Sequence, residues 1–296
     1  MTVSRIAIMS SVRWAFNTRQ WEPTLTDWMR ASQCIQPEEK QRIGKFVFKK
    51  DAKSSMIGRL MLRKMLHRVT KIPYGEIKLG RTDKGKPYLM NTLPEACRQL
   101  SFNVSHHGDS VVLVAETEAE VGIDVMKLET PVGAKSISDF FHTMRRQFTE
   151  DEWVYIKSGN TEKEQLGSFY RLWCLKESYV KALGVGIGFE VKRLNFITGG
   201  DLTHAGGTIC TTTVEVDGQS AKNWTFEETL LDNHCIAVAL KTPLCTTQKL
   251  KIAPFEVITF DDLLADSKPL SEPDQVYGEE FYTESREAYS TEMTRF

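Results

Sequence analysis

Apolar residues along the chain keep changing their spacing, and each change marks an element. Between residues 49 and 70, Met56, Leu60, Met61 and Met65 recur three or four apart with Lys64 among them. That spacing predicts one long helix with an apolar stripe inward and bases outward. Shorter helices are predicted over 22–34, carrying Trp28 and Met29, and over 36–46, where Pro37 and the acids behind it suit a first turn. Residues 4–9 read as a strand. Apolar runs near 76–80, 100–104, 111–115 and 120–125 predict further strands, separated by Lys84-Gly85-Lys86-Pro87 and His107-Gly108-Asp109.

The second half repeats this plan loosely. Helical spacing over 135–143, 149–157 and 163–183 precedes strand patterns near 192–197, 209–216, 222–229 and 235–240. In both 105–118 and 231–242 a polar turn with histidine opens an apolar strand, a weak internal repeat. The order of elements predicts an α+β chain of two similar halves in a pseudo-twofold arrangement, 1–126 and 127–243, with a ligand groove between them. From 244 to 296 the composition turns to Asp, Glu, Ser, Thr and Pro, which reads as an extended acidic tail; the apolar residues of 255–265 are candidates to dock it.

Charge refines this picture. A net charge of −1 over 296 residues gives no global basicity and argues against a nucleic-acid binder. The distribution is uneven: 38–86 hold 15 Lys/Arg against 5 Asp/Glu, and 254–296 hold 11 acids against 3 bases. Such a basic stretch can attract a multiply phosphorylated ligand or be a solvated helix face. Six scattered cysteines without a CxxC pair read as buried free thiols in a reducing compartment. No apolar run reaches signal-peptide or membrane-spanning length, so a cytosolic protein without membrane attachment is expected.

Four segments carry candidate chemistry. VGIDV (121–125) is an apolar strand interrupted by Asp124, and WCLKESYVKALG (173–184) is a helix bearing Lys176, Glu177 and Lys181. Two carboxylates on regular elements, with lysines beside one, suit one Mg2+ and a diphosphate. Glu177 and Lys181 share a helix face at i, i+4, which also fits a plain surface ion pair; Trp173 on that face suggests a cleft wall. In RTDKGKPYL (81–89), Gly85 permits a tight turn on which Arg81, Lys84 and Lys86 converge on one phosphate, or which is simply a basic hairpin. In FNVSHHGD (102–109), Ser105 and His106 suit phosphate donors or an ordinary turn. No GxSxG elbow supports a serine nucleophile.

Together and in this order, these segments resemble the 4′-phosphopantetheinyl transferases of the surfactin-synthetase type, with VRWAF (12–16) and QPEEKQRIGKFVF (36–48) pointing to their animal branch. The resemblance covers about residues 4–242. It implies coenzyme A in the cleft between pseudo-twofold halves, and transfer of its phosphopantetheine arm to a carrier-domain serine with release of adenosine 3′,5′-bisphosphate. By matching position, Arg42, Arg81, Thr82, Asp83, Lys84, Gly85, Lys86, Asn103, Val104, Ser105, His106, Glu177, Ser178 and Lys181 would hold coenzyme A. Asp124 and Glu177 would hold Mg2+, and Asp124, Glu177 and Lys181 would carry the chemistry. Bacterial relatives often place a third acid two residues after the strand Asp; here that position is Met126, on the same strand face.

On this expectation Glu177, directly or through a metal-bound water, takes the serine proton, and Lys181 assists the leaving nucleotide. The resemblance implies apo acyl carrier domains as partners, those of fatty-acid synthase and of aminoadipate-semialdehyde dehydrogenase. A single chain supplying both cleft walls predicts a monomer. Two rival readings remain at this level: an acyltransferase using a coenzyme A thioester, and a non-catalytic module that binds coenzyme A or carrier domains.

Overall fold

Every helix foreseen between residues 22 and 183 forms in the computed structural model, which describes residues 11–131, 133–202, 207–243 and 252–283. The strand expected over 4–9 lies outside them. The chain runs β1 (Ser11–Asn17), α1 (Leu25–Gln33), α2 (Pro37–Ile43), α3 (Lys49–Thr70), β2 (Leu79–Arg81), β3 (Pro87–Leu89), β4 (Ser101–His107), β5 (Ser110–Glu116) and β6 (Glu120–Lys127). It continues through α4 (Ile137–Met144), α5 (Glu150–Lys157), α6 (Glu162–Leu183), β7 (Leu194–Ile197), β8 (Thr213–Val216), β9 (Gln219–Ser220), β10 (Trp224–Leu231) and β11 (His234–Lys241). It closes with β12 (Glu256–Val257), α7 (Phe260–Leu264) and α8 (Gln275–Thr283). Reciprocal Thr–acid caps start the helices that matter most here: Thr149 with Glu152 on α5, and Thr161 with Glu164 on α6. Gly184, at φ 68°, ends α6 in the left-handed conformation that glycine adopts without strain.

Two sheets lie face to face. One has the order β12-β1-β5-β4 and the other β10-β11-β6. β5 and β11 are central in their sheets and buried on both faces, so neither alternates polar and apolar residues. Val112, Val114, Ile123, Val125, Ile236 and Val238 fill the space between the sheets. α3 covers the outer face of the first sheet with Met56, Ile57, Leu60 and Met61. α6 covers the second with Phe169, Leu172 and Leu175. This helix–sheet–sheet–helix order repeats one plan twice, as the internal repeat predicts.

Two expectations are corrected. The bases of α3 do not all face outward: Arg59 and Arg63 are buried, and Arg63 donates to Ile77 O at 3.1 Å and to Tyr74 O. The stretch from 252 to 283 is not extended. β12 pairs in parallel with β1, and Ile258, Leu263, Leu264, Tyr277 and Phe281 enter the core beneath α1 and α3. Acidic residues set its composition, yet the apolar ones between them gain more by burial than an extended chain retains in entropy. Docking of 255–265 by its apolar residues is as foreseen; residues 244–251 and 284–296 lie outside the described ones. Among the described residues no helix is long and apolar enough to cross a membrane. Cys34, Cys97, Cys174, Cys210 and Cys235 are all free thiols, as the sequence suggests; Cys245 lies outside the described residues.

Leu263→Ala measures the contribution of this C-terminal segment to the core. Because Leu263 is fully buried, truncation is expected to cost about 2–5 kcal/mol in urea unfolding; an unchanged midpoint would mean that the segment is not packed there.

Candidate active site

The site begins at a glycine. At Gly122, α6 approaches β6 so closely that a methyl group would lie 2.1 Å from Ser178 O and 2.3 Å from Ala182 N. With the backbones this near, Asp124, one step along the same strand face, meets Lys181 on the last turns of α6. Lys181 Nζ donates to Asp124 Oδ1 at 2.5 Å and to Ser105 Oγ at 2.9 Å, and Ser105 Oγ donates to Asp124 Oδ1 at 3.0 Å. Three of the residues foreseen from separate segments therefore share one set of hydrogen bonds.

Ser105 arrives across the seam where the two sheets meet. β4 and β6 form no backbone ladder; instead β4 side chains accept from β6 amides twenty positions on. Val121 N donates to Ser101 Oγ at 3.0 Å, Ile123 N to Asn103 Oδ1 at 3.3 Å and Lys127 N to His107 Nδ1 at 3.0 Å. At the remaining step Ser105 takes the Asp124 carboxylate instead. Asn103 is thus a seam residue, while half-buried Val104 packs against the N-terminal core and exposed His106 stands at the strand end.

Electrostatically the centre holds two acids and one base. Burial, and then the neighbouring Asp124 charge, push the Glu177 carboxyl above the usual carboxylate range, with Lys181 opposing. Burial disfavours the Lys181 charge, but Asp124 and Glu177 outweigh it and hold the ammonium more firmly than usual. Asp124 is 5% exposed, and its Oδ2 is buried without a hydrogen-bond partner among the described residues. A buried carboxylate oxygen left unpaired is costly, and a divalent cation would satisfy it; the residues present fit Mg2+ in that respect. Among the described residues no three His, Cys, Asp or Glu side chains gather as a metal cage. Met126, where a third acid would lie, belongs instead to the apolar core under α6.

The neighbours of Glu177 serve the helix rather than the cleft. Lys176 is fully buried: its Nζ donates to Val191 O at 3.0 Å and Leu194 O at 2.7 Å, and pairs with Glu152 at 2.8 Å. Glu152 also accepts from Thr149 N and Phe196 N, so one carboxylate ties α5, α6 and β7 together. Trp173, expected on a cleft wall, stacks at 6.4 Å on Phe169 in the core. Ser178, expected to meet coenzyme A, is fully buried, its hydroxyl donating to Leu175 O. An α6 covered on most sides explains both: the face spacing is right, but packing claims those positions.

The basic segments do not gather on one point. Lys86 Nζ donates at 3.2 Å to Lys181 O, one of the terminal carbonyls of α6 that lack intrahelical partners and carry partial negative charge, and Lys84 donates to Val185 O just past the helix end. Arg81 turns the other way, donating to Glu39 at 2.7 and 3.0 Å and to Gly85 O at 2.9 Å. Thr82 and Gly85 form the turn between them, Gly85 with φ 79°, and Asp83 is exposed at its tip. Arg42 shares Glu39 at 2.9 Å and donates to Ser55. Glu39, Ser55 and Arg59 escaped the sequence reading. The one available signal is that Ser55 and Arg59 stand four residues apart on α3 and so share a face, which periodicity alone does not single out.

Comparison with known proteins gives two adjoining matches. A family model described as 4′-phosphopantetheinyl transferase, N-terminal, covers residues 19–118, and one described as 4′-phosphopantetheinyl transferase superfamily covers 120–239. The chain is 44% identical over 276 residues to the L-aminoadipate-semialdehyde dehydrogenase-phosphopantetheinyl transferase of Mus musculus, covering 90% of this chain and 89% of the relative. It is 38% identical over 233 residues to a phosphopantetheinyl transferase of Thraustochytrium, covering 77% of each, and 33% identical over 156 residues to a 4′-phosphopantetheinyl transferase of Aneurinibacillus migulanus, covering 53% and 59%.

Two substitutions probe how the site is held. Gly122→Ala is expected to force α6 off β6, lowering stability by about 1–3 kcal/mol in chemical denaturation; wild-type stability would mean that the two backbones do not meet there. Lys176→Met strands the Glu152 charge in the core and is expected to cost about 3–5 kcal/mol in the same assay. A neutral result would show the pair to be solvated.

Proposed function

The chain belongs to the 4′-phosphopantetheinyl transferase superfamily, and from that premise we propose that it moves the phosphopantetheine arm of coenzyme A to the serine of apo acyl carrier domains, with Mg2+ held by Asp124 and Glu177. The observation that carries this reading is the buried Asp124 carboxylate, bonded through Oδ1 to Ser105 and Lys181 and unpartnered at Oδ2 among the described residues. Mg2+ typically takes one or two carboxylates beside substrate phosphates and water, so two acids suffice without a third at Met126. When bound, the ion supplies charge neutralisation on the diphosphate.

The chain's own residues account for the remainder. Glu177, with its proton affinity raised by burial and by Asp124, accepts the proton of the carrier serine as its oxygen bonds to the phosphorus bearing the pantetheine arm. The bond from that phosphorus to the bridging oxygen breaks, and adenosine 3′,5′-bisphosphate leaves with the electron pair. Lys181 stands beside this charge as it grows, positioned by Asp124 and Ser105. Arg42, Arg81, Lys84 and Lys86 supply the basic wall for the nucleotide, and Thr82, Asp83, Gly85, Asn103, Val104 and His106 shape it. Relatives named for aminoadipate-semialdehyde dehydrogenase support that enzyme's carrier domain as one partner. The fatty-acid synthase carrier, a monomeric state and a cytosolic location belong to the same proposal.

The test is intact mass spectrometry of a purified apo carrier incubated with this protein, coenzyme A and Mg2+. The expected result is a gain of one phosphopantetheine, abolished by EDTA and restored by Mg2+. Glu177→Ala is expected to lower turnover by at least about a hundredfold, the lower bound for loss of a general base, while coenzyme A binding by calorimetry persists in part. Transfer undiminished by EDTA, or full turnover by the variant, would contradict the assignment; an acyl group in place of the arm would mark the thioester-using alternative.

A further inference from the structure

Glu39 has no part in the reaction described above, yet three guanidiniums surround it. Arg81 meets both its oxygens, Nε to Oε1 at 2.7 Å and Nη2 to Oε2 at 3.0 Å. Arg42 Nε donates to Oε2 at 2.9 Å, and Arg59 Nη1 lies 3.5 Å from Oε1. Burial opposes the carboxylate's charge, but the Arg81 hydrogen bonds and the Arg59 and Arg42 charges prevail and hold its pKa at about 2. Arg59 is 6% exposed, its Nη1 makes no hydrogen bond among the described residues, and burial lowers its pKa to about 10. One carboxylate against three guanidiniums leaves two positive charges uncompensated. Arg42, Arg81 and Glu39 all line a cleft of about 780 Å³. A phosphate monoester dianion matches that excess.

We propose that Glu39 is a positioning residue for the phosphate-bearing nucleotide of the co-substrate: it fixes the Arg42 and Arg81 forks and keeps Arg59 beside them as a buried reserve of charge. The inference rests on the coenzyme A reading above and adds to it the residue that arranges the arginines. Arg42 and Arg81 each carry donors in a planar fork, and a fork pre-set by one carboxylate loses little freedom when it engages a second anion. Glu39 repels an incoming phosphate, so the geometry and the charge of this residue act in opposite directions. That opposition makes the role measurable by its sign.

Steady-state transfer to an apo carrier by full-length Glu39→Gln, with coenzyme A and with dephospho-coenzyme A, separates the two. Positioning predicts that KM for coenzyme A rises about tenfold, the equivalent of misaligning one charge-assisted contact. KM for the dephospho form and kcat at saturation stay within about twofold. A KM for coenzyme A that falls or stays put, or equal losses with both co-substrates, overturns the role. Glu39→Asp keeps the charge and shortens the reach, so it too is expected to raise KM for coenzyme A selectively; wild-type behaviour would mean that charge alone matters. Should the Gln variant not fold, the Asp variant decides. Wild-type turnover is scored first: its absence rejects the coenzyme A reading, whereas normal wild-type turnover with an unmoved variant rejects only Glu39.

Discussion

The approach of α6 to β6 at Gly122 is the constraint from which the site follows. A strand residue with any side chain would hold the helix away by about a methyl radius or more, and Asp124 and Lys181 would then stand apart. Their pairing at 2.5 Å is therefore a consequence of backbone packing rather than of attraction between two charges. Packing geometry is the stronger cause because interiors are dense and deform little, whereas a partly solvated ion pair contributes little by itself. Glu177, one turn before Lys181, is delivered by the same contact.

Two seams join the sheets, and they are built differently. At the β4–β6 seam, side chains replace the backbone ladder, which opens room for the carboxylate centre. On the opposite side β1 meets β10 through buried Arg13, which pairs with Glu227 at 2.8 Å and Glu116 at 2.7 Å. A charge cluster of this kind adds modest stability but penalises any shift that strands one member. The structure thus has one seam fixed by ion pairs and one that holds the Asp124–Ser105–Lys181 centre. The pseudo-twofold plan makes this division possible, since equivalent positions in the two halves are free to take different side chains.

The fold was legible because periodicity reports burial directly. The spacing of Met56, Leu60 and Met65 and the continuous apolar runs of β5 and β11 can mean little else. Asp124 and Lys181, which the structure pairs, stood out as an acid and a lysine interrupting apolar elements, and only the family resemblance joined them with Glu177 into one ordered set. What escaped detection depends on partners remote in sequence. Nothing near Arg59 announces Glu39, and nothing near Lys176 announces Glu152. Nothing near Lys84 and Lys86 announces the acceptors they meet at the end of α6, Val185 O and Lys181 O, which come from the other half of the chain. Trp173 misled because helical phase gives a face but not what covers it. The acidic composition of 252–283 hid α8, whose Tyr277 and Phe281 dock beyond the 255–265 stretch that the sequence singled out.

Crystals grown with coenzyme A and Mn2+ in place of Mg2+ test the central claim most directly, through the anomalous signal of the metal. The account predicts one ion bonded to Asp124 Oδ2 and to the Glu177 carboxylate, with the Lys181 ammonium turned to the diphosphate. An ion bound to neither carboxylate, or a coenzyme A diphosphate lying away from Lys181, would contradict it.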